Sequence, residues 1–132
     1  MNEAGRNLLV ACAGECVTEA CRQAMEMLNS GLRKRCRFAM SDWLDTDQFN
    51  RALLLWVVDD SAPWEAVHRA LANHIPLLVA KDNIVMGQLC LSAACGLTYR
   101  DTAEAAELLA LLLTDEANRK RMAANGYSYI NG

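Results

Sequence analysis

Ala52-Leu53-Leu54-Leu55-Trp56-Val57-Val58, closed by Asp59-Asp60, and Pro76-Leu77-Leu78-Val79-Ala80 are two continuous apolar runs separated by one helix-length segment. Runs this short, apolar at every position and bounded by turn-forming residues, read as strands buried on both faces of a parallel sheet. The segment between them, from about Pro63 to Asn73, reads as a helix. Ser61 or Asp60 would cap it, with Pro63 in its first turn. Strand, helix and strand in that order form a right-handed crossover, so the two runs lie parallel in one sheet.

Working outward, the same alternation continues to both ends. Leu8 to Ala13 is an apolar run stopped by Gly14, a strand followed by a turn. Val17 to Leu32 carries apolar residues at helical spacing and closes on Gly31 and a basic end. Cys36 to Met40 reads as a second strand, and Trp43 to Asn50 as a loop with a short helix. After Ala80 come a helix from Ile84 to Ala94, a short strand Gly96 to Tyr99, and a helix from Ala103 to Leu113 capped by Thr102 or Asp101. Asp115 caps a last helix, which runs from Glu116 to about Gly126, where glycine can stop it. The expected fold is α/β: one Rossmann-like three-layer sandwich, residues 1–132, with a parallel sheet of about five strands.

With 53% hydrophobic and 22% charged residues the chain has the composition of a globular domain, and 132 residues suffice for a core without staples. A net charge of −3 argues against a nucleic-acid partner. Arg33-Lys34-Arg35, with Arg37 close behind, reads as the solvated end of a helix, placed well against its dipole. The polar start, Met1 to Asn7, has no leader character and no apolar window reaches the length of a membrane span. Cysteines 12, 16, 21, 36, 90 and 95 sit mostly in apolar runs, as reduced thiols of a cytoplasmic protein do. Neither they nor His68 and His74 have the spacing of a metal site, so no metal is assigned.

The order and spacing between residues 52 and 126 resemble the nucleotide-sugar-binding half of GT-B glycosyltransferases of the group 1 family. The likeness is carried by Ala70, Ala72 and Pro76, by Gly96-Leu97-Thr98-Tyr99 and Asp101, and by Asp115 with Arg119 to Met122. It implies a GT-B half domain, a UDP- or GDP-sugar as ligand, and a second half domain or other protein as partner; a homo-oligomer is the further possibility. Several functional positions of the family pattern are altered. Counting back from Pro76, the two glutamates separated by seven residues are replaced by Ser61 and Arg69, and a glycine by His74. Glu65 stands in for one of that pair only if the loop is a register longer. The cationic turn after the first strand is here Gly14-Glu15, and Gln88 lies where a ribose-binding glutamate is expected. No catalytic residue is assigned.

The candidate ligand-binding residues are therefore Gly14, Glu15, Asp59, Asp60, Ser61, Glu65, His74 and Gln88, expected on the switch-point loops. An acidic pair ending the central strand is ordinarily a loop start. Asp59-Asp60 also stands where open α/β sheets bind ligands, as in a receiver-like phosphoryl acceptor. That second reading wants an acidic pair after the first strand, where Glu15 stands alone, and a lysine after the last, which Lys81 matches only in part. Two functions follow: a glycosyltransferase-like domain without catalysis of its own, or a non-catalytic interaction or regulatory module.

Overall fold

A computed structural model describes residues 8–15 and 17–132; the polar start and Cys16 lie outside them. Five strands, β1 (Leu8–Ala13), β2 (Cys36–Met40), β3 (Leu54–Val57), β4 (Leu77–Ala80) and β5 (Gly96–Tyr99), form one sheet in the order β2-β1-β3-β4-β5. All four pairings are parallel. The order reverses between β1 and β3, which makes the gap beyond their carboxyl ends the topological switch point.

Side chains alternate across the sheet, and each set meets its own helical layer. Val10, Cys12, Leu54, Trp56 and Leu78 pack with α1 (Glu19–Glu26), α2 (Ser30–Arg35) and α6 (Thr102–Thr114). Leu9, Ala11, Leu55, Val57, Leu77 and Val79 pack with α3 (Thr46–Asn50), α4 (Trp64–Ala72) and α5 (Ile84–Ala93). The last helix, α7 (Glu116–Asn131), joins the layers: Met122 belongs to the first core and Ile130 rests on the second. The architecture is thus the expected three-layer α/β sandwich.

Three local expectations need correction. The apolar stripe from Val17 to Leu32 is two helices, because Asn29 turns its side chain onto the Leu32 N–H at 2.8 Å and starts α2 there. Thr18 caps α1 in the same way through the Cys21 N–H. Neither Ser61 nor Asp60 caps α4; Pro63 occupies that position, with no side-chain hydrogen bond. Gly126 does not stop α7 but lies buried inside it, where a Cβ would stand 2.7 Å from Leu71 Cδ2 and 3.0 Å from Cys95 Cβ. The glycine is there for close helix packing.

Of the three tryptophans, Trp56 is fully buried mid-sheet while Trp43 and Trp64 are exposed. Cys12, Cys21, Cys36, Cys90 and Cys95 are free, buried thiols. Among the described residues no helix is long and apolar enough to cross a membrane.

Candidate functional site

The carboxyl ends of β3, β4 and β5 open onto a crevice of about 410 Å³, bounded on one side by the start of α1 and on the other by the start of α6. Its charged lining is lopsided. Asp59, Asp60, Asp82 and Asp101 all face it, and among the described residues lining it Arg100 supplies the positive charge. That guanidinium is itself held by Glu104, Nη2 to Oε2 at 3.2 Å and Nε to Oε1 at 3.3 Å. The pairing keeps the half-buried Glu104 carboxyl below its ordinary range.

The inner wall is Trp56 and Tyr99. The Trp56 indole N–H donates to the Tyr99 hydroxyl at 3.1 Å, and the rings meet edge to face at 6.4 Å. Burial pushes the Tyr99 phenol up to about 12 against the smaller lowering effect of the indole N–H. On the neighbouring strand β1, in the same core layer as Trp56, burial likewise pushes the Cys12 thiol up to about 12. Neither group ionises near neutral pH, so the Trp56–Tyr99 wall is uncharged there.

At the switch point the chain closes on itself. Gly14 has φ 147°, a conformation that side chains rarely adopt, and a Cβ on it would lie 2.7 Å from Asp59 Oδ1 and 2.7 Å from Val58 Cγ2. The neighbouring Glu15 N–H donates to Asp59 Oδ2 at 3.0 Å. Asp59 Oδ1 in turn accepts the Ser61 N–H at 2.9 Å and the Ser61 hydroxyl at 2.5 Å. The first βα turn of such folds offers a side-chain-free glycine and backbone N–H groups to an anion. Here a carboxylate of the same chain sits against both.

The eight candidate residues therefore divide. Gly14, Glu15, Asp59, Asp60 and Ser61 come together at the carboxyl end of the sheet. Glu65, His74 and Gln88 do not. Glu65 lies on α4 beside Ser41, Asp42 and Arg69, outside the crevice. Gln88 lies on the exposed side of α5, in a separate groove along β5. His74 precedes β4 and so lies at the amino end of the sheet, where its ring stacks on Tyr127 at 4.2 Å. It has φ 60°, so the backbone keeps a left-handed turn at the place where the family pattern has glycine. Arg69, at the second glutamate position, lays its guanidinium over the Phe49 ring, 4.1 Å from the centroid. Sequence reading missed Tyr99, Asp82, Asp101 and Arg100 as crevice residues. Their signal was positional, since each follows or ends a strand.

Comparison with solved structures places the architecture. The chain superposes on WaaG, a glycosyltransferase involved in lipopolysaccharide biosynthesis, with a TM-score of 0.74 and 17% identity, over 96% of this chain and 43% of that one. The fold is that of a GT-B half domain. The spinosyn forosaminyltransferase SpnP matches with a TM-score of 0.63 and 16% identity over 95% of this chain and 39% of that one. The calicheamicin glycosyltransferase CalG4 matches at 0.57 and 17%, over 94% and 38%. The chain thus spans well under half the length of each of these GT-B proteins. No protein-family model and no curated protein sequence matches it significantly.

Proposed function

We propose that this GT-B half domain does not transfer sugar by itself, and that its donor-type site has been converted into a closed structural turn. The observation that carries the reading is the Asp59 carboxylate, seated on Gly14 and on the Glu15 N–H where an anionic ligand would approach. The electrostatics run the same way. A diphosphate entering the crevice would meet four aspartates and an arginine already paired. At about 6 Å each carboxylate opposes a phosphate charge by on the order of 1–3 kcal/mol, depending on solvent access. Ser61 and Arg69 add no compensation, because one is folded onto Asp59 and the other onto Phe49. Among the described residues lining the crevice the positive charge is Arg100, already held by Glu104, which leaves little to stabilise a departing diphosphate.

The domain then serves as an interaction module, built on a glycosyltransferase-like fold and acting with another protein or another copy of itself. Thermal unfolding in the presence of UDP- and GDP-sugars tests this. No shift is expected at any concentration that solubility allows. A ligand bound at a hundred times its dissociation constant would add about 2.7 kcal/mol of stability. A saturable shift of that kind with either nucleotide class would overturn the reading, and a shift that appears only in Asp59→Ala would show the carboxylate to be the obstacle.

A further inference from the structure

Cys90 and Cys95 are buried thiols that play no part in the crevice. They lie in the core layer of α4 and α5, on either side of one turn. α5 ends on Ala94, whose φ of 53° is left-handed at a residue other than glycine. A helix end of this kind folds a following side chain back over the last turn, onto the residues five and six positions before it. For Cys95 those residues are Cys90 and Leu89. The Cys95 sulfur reaches the Leu89 carbonyl oxygen at 3.9 Å, across the peptide that joins Leu89 to Cys90. The Cys90 S–H points at the same sulfur. That hydrogen bond, and then burial, push the Cys90 thiol up, and the same bond draws Cys95 down.

The turn between the two sulfurs is held from outside. A left-handed alanine is strained and persists where its surroundings fix it. The Ala94 carbonyl accepts from Asn125 Nδ2 of α7 at 3.0 Å, and the Cys95 carbonyl accepts from the Leu77 N–H of β4 at 3.1 Å. α7 also presses on the pair itself, since a Cβ at Gly126 would stand 3.0 Å from Cys95 Cβ. On the opposite side, Cys90 and Ala94 line the groove of about 780 Å³ along β5. A small oxidant therefore has a route to Cys90, which is 3% exposed, while Cys95 behind it is fully enclosed.

We propose that Cys90 and Cys95 are a redox pair that closes a disulfide across the turn from α5 to β5 and fixes α7 against it. The oxidant is a hydroperoxide small enough for the groove. Cys90 sulfur attacks one peroxide oxygen while its proton passes to the Cys95 thiolate. The O–O bond breaks, leaving Cys90 as a sulfenic acid and releasing hydroxide, which takes up the proton that Cys95 lost earlier. Cys95 sulfur then attacks Cys90 sulfur, and the hydroxyl leaves as water with the Cys95 proton. Two thiols are oxidised to one disulfide and one peroxide is reduced to two waters. A small thiol reverses the closure by exchange. In the closed form a covalent bond holds the left-handed turn that Asn125 and the sheet hold in the open one.

Hydrogen peroxide titrated onto the folded chain, followed by alkylation in denaturant and tryptic mass mapping, tests the pair. Asp82 to Arg100 is a single tryptic peptide that contains Cys90 and Cys95 and no other cysteine. It should lose two hydrogens and resist alkylation, and dithiothreitol should restore both alkylation sites. Cys12, Cys21 and Cys36 should stay alkylatable and so serve as internal controls. The oxidised chain should melt at a higher temperature than the reduced one and fall back on reduction. Cys90→Ala and Cys95→Ala should each abolish both the hydrogen loss and the melting shift. Alkylation of both cysteines after peroxide has oxidised other thiols would overturn the proposal. So would gain of oxygen at these sulfurs without loss of hydrogens, a disulfide mapped to any other pair, or a Cys90–Cys95 bond that leaves the melting temperature unmoved.

Discussion

Asp59 and Gly14 answer to one another, and the pair can be separated experimentally. An alanine at position 14 meets two costs: a φ of 147° that only glycine adopts easily, and a Cβ overlapping Asp59 Oδ1 and Val58 Cγ2 at 2.7 Å each. The first is worth about 1–3 kcal/mol and the second a similar amount. Asp59→Ala removes one overlap and leaves the other. It also strips the Glu15 N–H and both Ser61 donors of their acceptor, at about 0.5–1.5 kcal/mol for each exposed bond. Urea unfolding of both single variants and the double variant should therefore be non-additive. Gly14→Ala should cost about 1 kcal/mol less in the Asp59→Ala background. Strict additivity would mean that the carboxylate does not press on the turn.

At the scale of elements, α7 offers the sharpest contrast between local preference and packing. Glycine inside a helix ordinarily costs about 1 kcal/mol relative to alanine, so Gly126→Ala would stabilise an isolated α7. In the folded chain the added methyl meets Leu71 Cδ2 and Cys95 Cβ, both in buried residues with little room to move. Overpacking of this kind costs about 1–3 kcal/mol, so the net effect should be destabilising, seen as a lower urea midpoint with an unchanged m-value. This is also why the end of α7 could not be read from sequence: the reason for Gly126 lies in α4 and before β5, remote in the chain. The break between α1 and α2 escaped for a different reason. Leu28 and Leu32 are both buried, so the apolar rhythm continues across a boundary that only the Asn29 cap marks. β1, β3 and β4 were readable because each is apolar throughout, while β2 and β5, which carry Arg37 and Thr98, were placed by the helix-strand alternation around them. The crevice was readable only as far as strand order dictates. Where the Asp59 carboxylate points is set by Gly14 and Ser61 together, and no pattern in the sequence encodes that direction.

For the molecule as a whole, two buried acids tie stability to alkaline pH. Tyr99 titrates near 10.0 when unfolded and about 12 when folded; Cys12 goes from 9.0 to about 12. Raised folded values mean that the folded chain holds these protons more tightly. As pH climbs, the unfolded chain loses them first and the equilibrium moves toward it. The stability that Cys12 contributes is therefore intact below 9.0 and that from Tyr99 below 10.0, and both are lost progressively as pH rises through about 12. One pKa unit corresponds to 1.36 kcal/mol, and with solvent screening of the half-buried ring Tyr99 should account for about 1–2 kcal/mol across that window. Tyr99→Phe removes this dependence but also removes the acceptor for the fully buried Trp56 indole, at about 1–3 kcal/mol. The variant should thus be weaker than the natural chain at neutral pH and lose less stability between pH 10 and about 12. Urea midpoints measured across that range for both proteins should converge as the pH rises. Parallel curves, equally steep in the variant, would place the alkaline weakness in the thiols rather than in the Trp56–Tyr99 wall of the crevice.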